Sequence, residues 1–200
     1  MSALYEFDRP LRSQYGCICG VDEAGRGPLA GPVCVAAVIL GDGPVLEKLN
    51  DSKKLTEKCR EELYPQIIAA AISYKVVMVG PEVIDEINIL QATMKGMREA
   101  VEGLCPTPAL ALIDGNRCPP LAVPARAIVK GDGTSACIAA ASVLAKVTRD
   151  RYMVELGKQY PQYQFDKHKG YPTRLHYELI EKYGIQDFYR KSFLKKRGIV

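Results

Sequence analysis

The strongest restraint on the fold of this chain is the order in which short apolar runs alternate with helical patterns. Five runs of strand length read as strands: Tyr15 to Asp22, Val33 to Leu40, Tyr74 to Val79, Ala109 to Asp114, and Ala125 to Val129. The glycine-rich GRGPLAGP joins the first two. Helical periodicity falls between and after them. One helix is expected over Glu57 to Ser73, with Thr56 as its N-cap and Pro65 as a kink, and another over Gln91 to Glu102. The longest runs from Thr134 to about Gln159, and its first half, SACIAAASVLAK, has small residues that let a helix press closely on a sheet. A last helix, Thr173 to Tyr183, closes at Gly184. This order implies an α/β chain with a mixed sheet flanked by helices and a helical appendage. The only candidate boundary is YPQYQFDKHKGY, which divides a core of 1–160 from an extension of 161–200. A chain of 200 residues can bury roughly 70% of its unfolded surface without a staple.

The formal charge of +4 is modest, but it is unevenly spread. From residue 146 onward, 13 Lys or Arg face six Asp or Glu, whereas residues 1–145 carry 14 against 17. A basic last quarter on a slightly acidic body permits a nucleic-acid partner; a solvated face is the bland alternative. No run approaches the ~20 apolar residues of a membrane-spanning helix, and MSALYEFDRPLRSQ has no apolar core, so it is not a signal peptide. Seven scattered Cys without a CxxC, and only two His, argue against a disulfide framework or structural zinc. A reduced, cytoplasmic protein without membrane contact is expected.

Four carboxylates stand where strands or loops end. Asp22 and Glu23 follow the apolar CICGV, Asp114 follows ALALI, and Asp132 lies in KGDGT before the long helix. Carboxylates at the ends of core strands are costly to desolvate unless paired or metal-bound. If the first and fourth strands are neighbours, Asp22 and Asp114 approach each other and raise each other's pKa unless a cation intervenes. Hard oxygen ligands select Mg²⁺ or Mn²⁺, ions that assist phosphodiester hydrolysis. Yet Asp also serves turns and helix caps. Adjacent strand residues point to opposite faces, so Asp22 and Glu23 share a site only if the strand ends between them. Spacing alone therefore leaves a metal-site candidate and a structural set side by side.

At GVDEAGRGPLAGPV the sequence resembles ribonuclease HII, the bacterial type 2 ribonuclease H. Further matching blocks follow in order: LNDSKKL at 49–55, IDGN at 113–116, VKGDGTSACIAAASVLAKVTRDRYM at 129–153 and HKGYPT at 168–173. The resemblance implies a ribonuclease H-like fold, with a five-stranded mixed sheet, helices on both faces and a C-terminal helical extension. It implies a metal-dependent endonuclease that hydrolyses the RNA strand of RNA–DNA hybrids. It also implies nicking 5′ of single ribonucleotides in duplex DNA, leaving 3′-hydroxyl and 5′-phosphate ends, with a role in ribonucleotide excision and primer removal. The family's four metal ligands for Mn²⁺ or Mg²⁺ fall on Asp22, Glu23, Asp114 and Asp132. Its ribose-reading segment falls on Gly25, Arg26 and Gly27, where glycines let the backbone approach a 2′-hydroxyl, the group that separates RNA from DNA.

Tyr171 matches the family tyrosine that stacks beside the scissile junction. Lys53 and Lys146 match positions near the substrate backbone. Ser142, Lys146 and Arg149 share a helix face by spacing, and a basic stripe there could track phosphates or simply be solvated. The related ribonuclease HIII lacks the GRG segment and carries an extra N-terminal domain, so type HII is favoured, acting as a monomer. The rivals are a same-fold resolvase or exonuclease and a non-catalytic nucleic-acid-binding module.

Overall fold

The structure is a computed structural model that describes residues 3–195 and 198. It contains strands β1 (Ile18–Ala24), β2 (Val33–Leu40), β3 (Ala71–Val79), β4 (Leu110–Asp114) and β5 (Ala125–Ile128). The helices are α1 (Ala3–Tyr15), α2 (Glu57–Ala70), α3 (Pro81–Glu102), α4 (Ala136–Gln159), α5 (Phe165–His168), α6 (Arg174–Tyr183) and α7 (Lys191–Lys195). One five-stranded mixed sheet has the order β3-β2-β1-β4-β5. β1, β2 and β3 pair antiparallel, while β4 runs parallel to both β1 and β5. All five strands expected from the apolar runs are present.

The helix signals worked where a side chain closes the first turn. Thr56 accepts from the Cys59 amide, Ser135 from Ile138 and Thr173 from His176, and Gly184 ends α6 at φ +74°. Two expectations need correction, and one helix was not expected. The expected helix 57–73 stops at Ala70, because β3 begins at Ala71 and takes the next residues into the sheet edge. α3 begins at Pro81, ten residues before the expected Gln91. Asn88, at φ +66°, kinks it, and its Oδ1 accepts from the amides of Leu90 and Gln91. Gln91 thus opens only the second half of a broken helix. α1 is a further helix not among those expected, although Leu4, Phe7, Leu11 and Tyr15 recur along one face of it. It is held by Leu4 in the core and by buried Asp8, whose Oδ2 accepts from the Cys137 amide at 2.9 Å at the start of α4.

Each sheet face is covered differently. Ile18, Leu110 and Leu112 pack against α4, and Cys19, Val21, Ala111 and Ile113 pack with Met97 of α3. The small-residue half of α4 lies against β1 as its composition implied. A Cβ on Gly20 would stand 2.1 Å from the Cys137 carbonyl carbon, so only glycine admits the helix backbone this closely. The last helices build a separate aromatic cluster of Tyr163, Phe165 and Tyr189 around Leu29, Ala30 and Met153. This cluster anchors the C-terminal segment to the loop after β1. All seven cysteines are free thiols.

Candidate active site

β1 and β4 are parallel neighbours whose last paired residues are Val21 and Ile113. Asp22 and Asp114 therefore follow side by side at the C-terminal ends of the two strands. The strand does not end between Asp22 and Glu23, as the sequence reading required. Glu23 still pairs with Val35 and Ala24 with Cys34. The two acids thus leave opposite faces, Asp22 toward α4 and Glu23 toward α3. Asp114 resolves the apparent conflict. It is the last residue of β4, and Gly115 turns away at φ +108°, so no further rung separates the two faces there. Both Asp22 and Glu23 sense its charge.

Asp132 arrives from a different segment. A single 3₁₀ turn, Gly131–Gly133, precedes α4, and the Gly131 amide donates to Asp114 Oδ1 at 2.7 Å. Burial raises the pKa of Asp22 well above the ordinary carboxylate value, with Glu23 and Asp114 adding to it. Burial also raises Glu23, and nearby Arg26 offsets part of the shift. Asp132 is raised by burial, by Asp114 and by Asp51, against Lys53, whose Nζ lies 3.6 Å from its Oδ2. Burial opposes the charge on Lys53, yet Asp132, Asp22, Asp51 and Asp114 together raise its pKa.

The donor set is all oxygen, and its members destabilise one another's charge, which suits a hard divalent cation. Each carboxylate here has its own partner. Asp22 takes the Glu23 amide at 2.7 Å, Glu23 faces Arg26, Asp114 holds the 3₁₀ turn and Asp132 faces Lys53. Among the described residues no three His, Cys, Asp or Glu side chains converge closely enough to hold an ion in this arrangement. A cleft of about 270 Å³ opens beside Glu23 and Asp114, lined also by Arg26, Met94, Asn116 and Arg117.

The GRG segment directly follows β1. Gly25 has φ +91°, and a Cβ there would stand 1.9 Å from Arg149 Nε, so its glycine is required twice over. Two arginines, neither solvent-exposed, fix this loop by its carbonyls. Arg190 donates to Gly25, Arg26 and Gly31 at 2.7, 2.9 and 3.0 Å. Arg149 donates to Ala30, Pro32 and Lys169 at 3.2, 3.0 and 3.0 Å. With the carbonyls held inward, Gly27 stays open, with nothing near its Cβ position.

Tyr171 lies over this arrangement, with the Lys146 ammonium 5.5 Å and the Arg149 guanidinium 5.6 Å from its ring centroid. The α4 face left open between a phosphate track and a solvated stripe is largely covered. Arg149 is fully buried, Ser142 is buried against Ser52 at 2.7 Å, and Lys146 pairs with Asp150 at 2.8 Å. Equal spacing on a helix does not separate a solvated face from one pressed against a loop. Lys53 is exposed and Lys146 half-buried, and both border the acids or Tyr171.

Three participants went unread. Arg190 has no motif or period around it, because its partners lie about 160 residues earlier. Asp51 stands beside the lysines of the LNDSKKL block, and nothing local in that block marks its effect on Asp132. His176 is buried beneath Tyr171, and its bond to the Tyr171 carbonyl leaves no trace in sequence.

Residues 19–196 match the family model described as Ribonuclease HII. This chain belongs to the ribonuclease HII family. A protein named Ribonuclease HII from Vibrio vulnificus (strain YJ016) is 57% identical over 90% of this chain and 86% of its own length. Another so named, from Caldicellulosiruptor bescii, is 53% identical over 94% and 91%. Among solved structures, the ribonuclease H2 from Pyrococcus horikoshii OT3 superposes with a TM-score of 0.76. It is 28% identical and covers 92% of this chain and 96% of that one. A structure of Bst-RNase HIII in complex with Mn²⁺, 17% identical with a TM-score of 0.67, shares the fold and covers 92% of this chain and 68% of its own. The ribonuclease HII chain is accordingly a metal-dependent nuclease, an endonuclease of ribonuclease H type 2 that hydrolyses phosphodiester bonds.

Proposed function

We propose that this ribonuclease HII hydrolyses the RNA strand of RNA–DNA hybrids and nicks duplex DNA on the 5′ side of a single embedded ribonucleotide. The ends it leaves are a 3′-hydroxyl and a 5′-phosphate. The observation that carries this reading is the adjacency of two parts: a carboxylate cluster at the ends of β1 and β4, and a glycine loop, fixed by its carbonyls, that begins at the next residue but one.

Asp22, Glu23, Asp114 and Asp132 are the proposed ligands of Mg²⁺ or Mn²⁺. An ion held by these four would supply a lowered pKa for a bound water and stabilisation of the leaving oxygen. The chain's own part is placement. Gly131 orients the Asp114 carboxylate, and Ser142 adds a bond to Asp22. Gly25, Arg26 and Gly27 are proposed to read the ribose through backbone groups, where a larger residue at Gly25 would collide with Arg149. Tyr171 checks the junction by stacking on a sugar, while Lys53 and Lys146 steady the flanking phosphates. Residues 161–200 act as an extension of the 1–160 core that backs the reading loop; of these, 196, 197, 199 and 200 lie outside the described residues. We further propose a cytoplasmic monomer serving ribonucleotide excision and primer removal. No helix among the described residues is long and apolar enough to cross a membrane.

The deciding experiment gives the protein a duplex with one internal ribonucleotide, in Mg²⁺, Mn²⁺ or chelator. A single nick 5′ of the ribonucleotide, absent in chelator, is expected. Digestion from an end would indicate an exonuclease, cutting only at branched DNA a resolvase, and binding without scission a non-catalytic module.

A further inference from the structure

The two histidines of the chain lie together under Tyr171, outside the carboxylate cluster. Their rings stack with centroids 4.1 Å apart and 22° between planes, and both side chains are buried. Every nitrogen of the pair is bonded. His168 Nδ1 accepts from the Gly170 amide at 3.2 Å, which leaves its Nε2 to donate to the Tyr163 carbonyl at 2.9 Å. His176 Nδ1 lies 2.9 Å from the Tyr171 carbonyl, an acceptor only, so this nitrogen carries the proton. Its Nε2 then accepts from the Tyr189 hydroxyl at 3.1 Å. Burial holds the His176 pKa down to about 4, and the ring is neutral at neutral pH.

The His176 side chain takes the carbonyl of a residue whose amide is already held by the main chain. The Tyr171 amide donates to the His168 carbonyl at 2.8 Å, and its carbonyl is the acceptor for His176. A residue bonded at both ends of its peptide frame has its Cα–Cβ direction fixed before any ligand arrives, and Lys146 and Arg149 then bear on the ring itself. A turn that needed only stability could have used a buried apolar residue here, without a buried donor that must find its acceptor.

Resting on the proposed role of Tyr171, we infer that His176 is a positioning residue that sets the pose of the Tyr171 ring through the Tyr171 carbonyl. His168 is the platform on which its ring is stacked.

Three variants test this. His176→Phe keeps a flat ring for His168 and loses both hydrogen bonds. His176→Asn keeps a donor near the Nδ1 position, and His176→Gln keeps a polar group near Nε2. Hydrogen exchange of the wild type and variants reads the frame without any substrate. Exchange of the Thr173 amide, which donates to the Tyr171 carbonyl, and of the Tyr171 amide should rise at least tenfold in His176→Phe and return toward wild type in His176→Asn. Nicking of the one-ribonucleotide duplex should lose kcat by about tenfold in His176→Phe with KM little changed. Adding Tyr171→Ala to that variant should cost little more, because the ring is already misplaced. Equal exchange in all variants, rescue by Gln rather than Asn, or additive effects of His176→Phe and Tyr171→Ala would each overturn the inference. A wild type that nicks nothing would instead sink the proposed function, and the exchange data would still decide whether His176 holds the Tyr171 frame.

Discussion

At the residue scale, Asp114 and Arg190 carry the sharpest expectations. Asp114 is the member of the cluster whose charge reaches Asp22, Glu23 and Asp132 alike. Asp114→Asn retains an oxygen for the Gly131 amide and removes the repulsion. It should abolish cleavage while raising the melting temperature in chelator; a variant that still cleaves with metal present would refute the ligand assignment. Arg190→Met should behave oppositely. It strands the carbonyls of Gly25, Arg26 and Gly31 in a buried setting and should lower stability by about 3 kcal/mol, measured by urea unfolding. The contrast shows what the sequence could convey. Asp22, Glu23, Asp114 and Asp132 stood out as candidates because each sits at an apolar run's end or inside a glycine turn, a local signal, and the family resemblance implied their roles. Arg190 was illegible because its meaning lies in carbonyls about 160 residues away. Arg149 was misread for a related reason: helix spacing gives a face, not what covers it.

At the scale of elements, β1 and α4 form the tightest contact of the fold. Gly20→Ala should cost about 1–3 kcal/mol or more, since the new methyl would sit on the Cys137 and Ile138 backbone and the helix cannot yield locally. A melting curve matching wild type would show that α4 stands farther from the sheet. The stacked histidines give their turn a pH dependence. The unfolded chain binds protons at both rings below about 6.5, and the fold resists them, His176 down to about 4 and His168 also lowered. Their contribution is therefore complete above about 6.5 and is lost as pH falls through that window. Buried Asp8, Asp22, Glu23 and Asp132, all raised, work the other way: the stability they lend is full below about 4 and fades as pH rises through their folded values. His176→Asn removes one term only. Its slope of stability against pH should be less positive than wild type by about half a proton at pH 6.5, approaching about one proton near pH 5. The elements themselves were legible where capping residues or apolar runs mark them. The first half of α3 was not, because it is set off by an asparagine kink, whereas α1 carries a readable apolar face in Leu4, Phe7, Leu11 and Tyr15.

At the scale of the whole molecule, the basic last quarter is less available than its composition implied. Arg149 and Arg190 are buried, and Lys146, Arg151, Lys158, Arg174 and Lys191 pair with acids. Duplex affinity should fall with salt, but with a log–log slope nearer about −4 than the roughly −10 of a chain that met phosphates with most of those cations. Titration between ~50 and ~200 mM salt reads this directly, and a slope near −10 would restore the segment as a phosphate track.

The distance in sequence between Arg190 and the glycine loop also bears on synthesis. A chain leaving the ribosome owns all four acids once residue 132 is out, and the whole sheet before that. It lacks the guanidinium that closes the 25–31 loop until residue 190 is made. On the proposed reading of the ribose, the discriminating loop is therefore closed after the carboxylate cluster is in place. A chain truncated before residue 190 should keep the carboxylates but grip the ribose loosely.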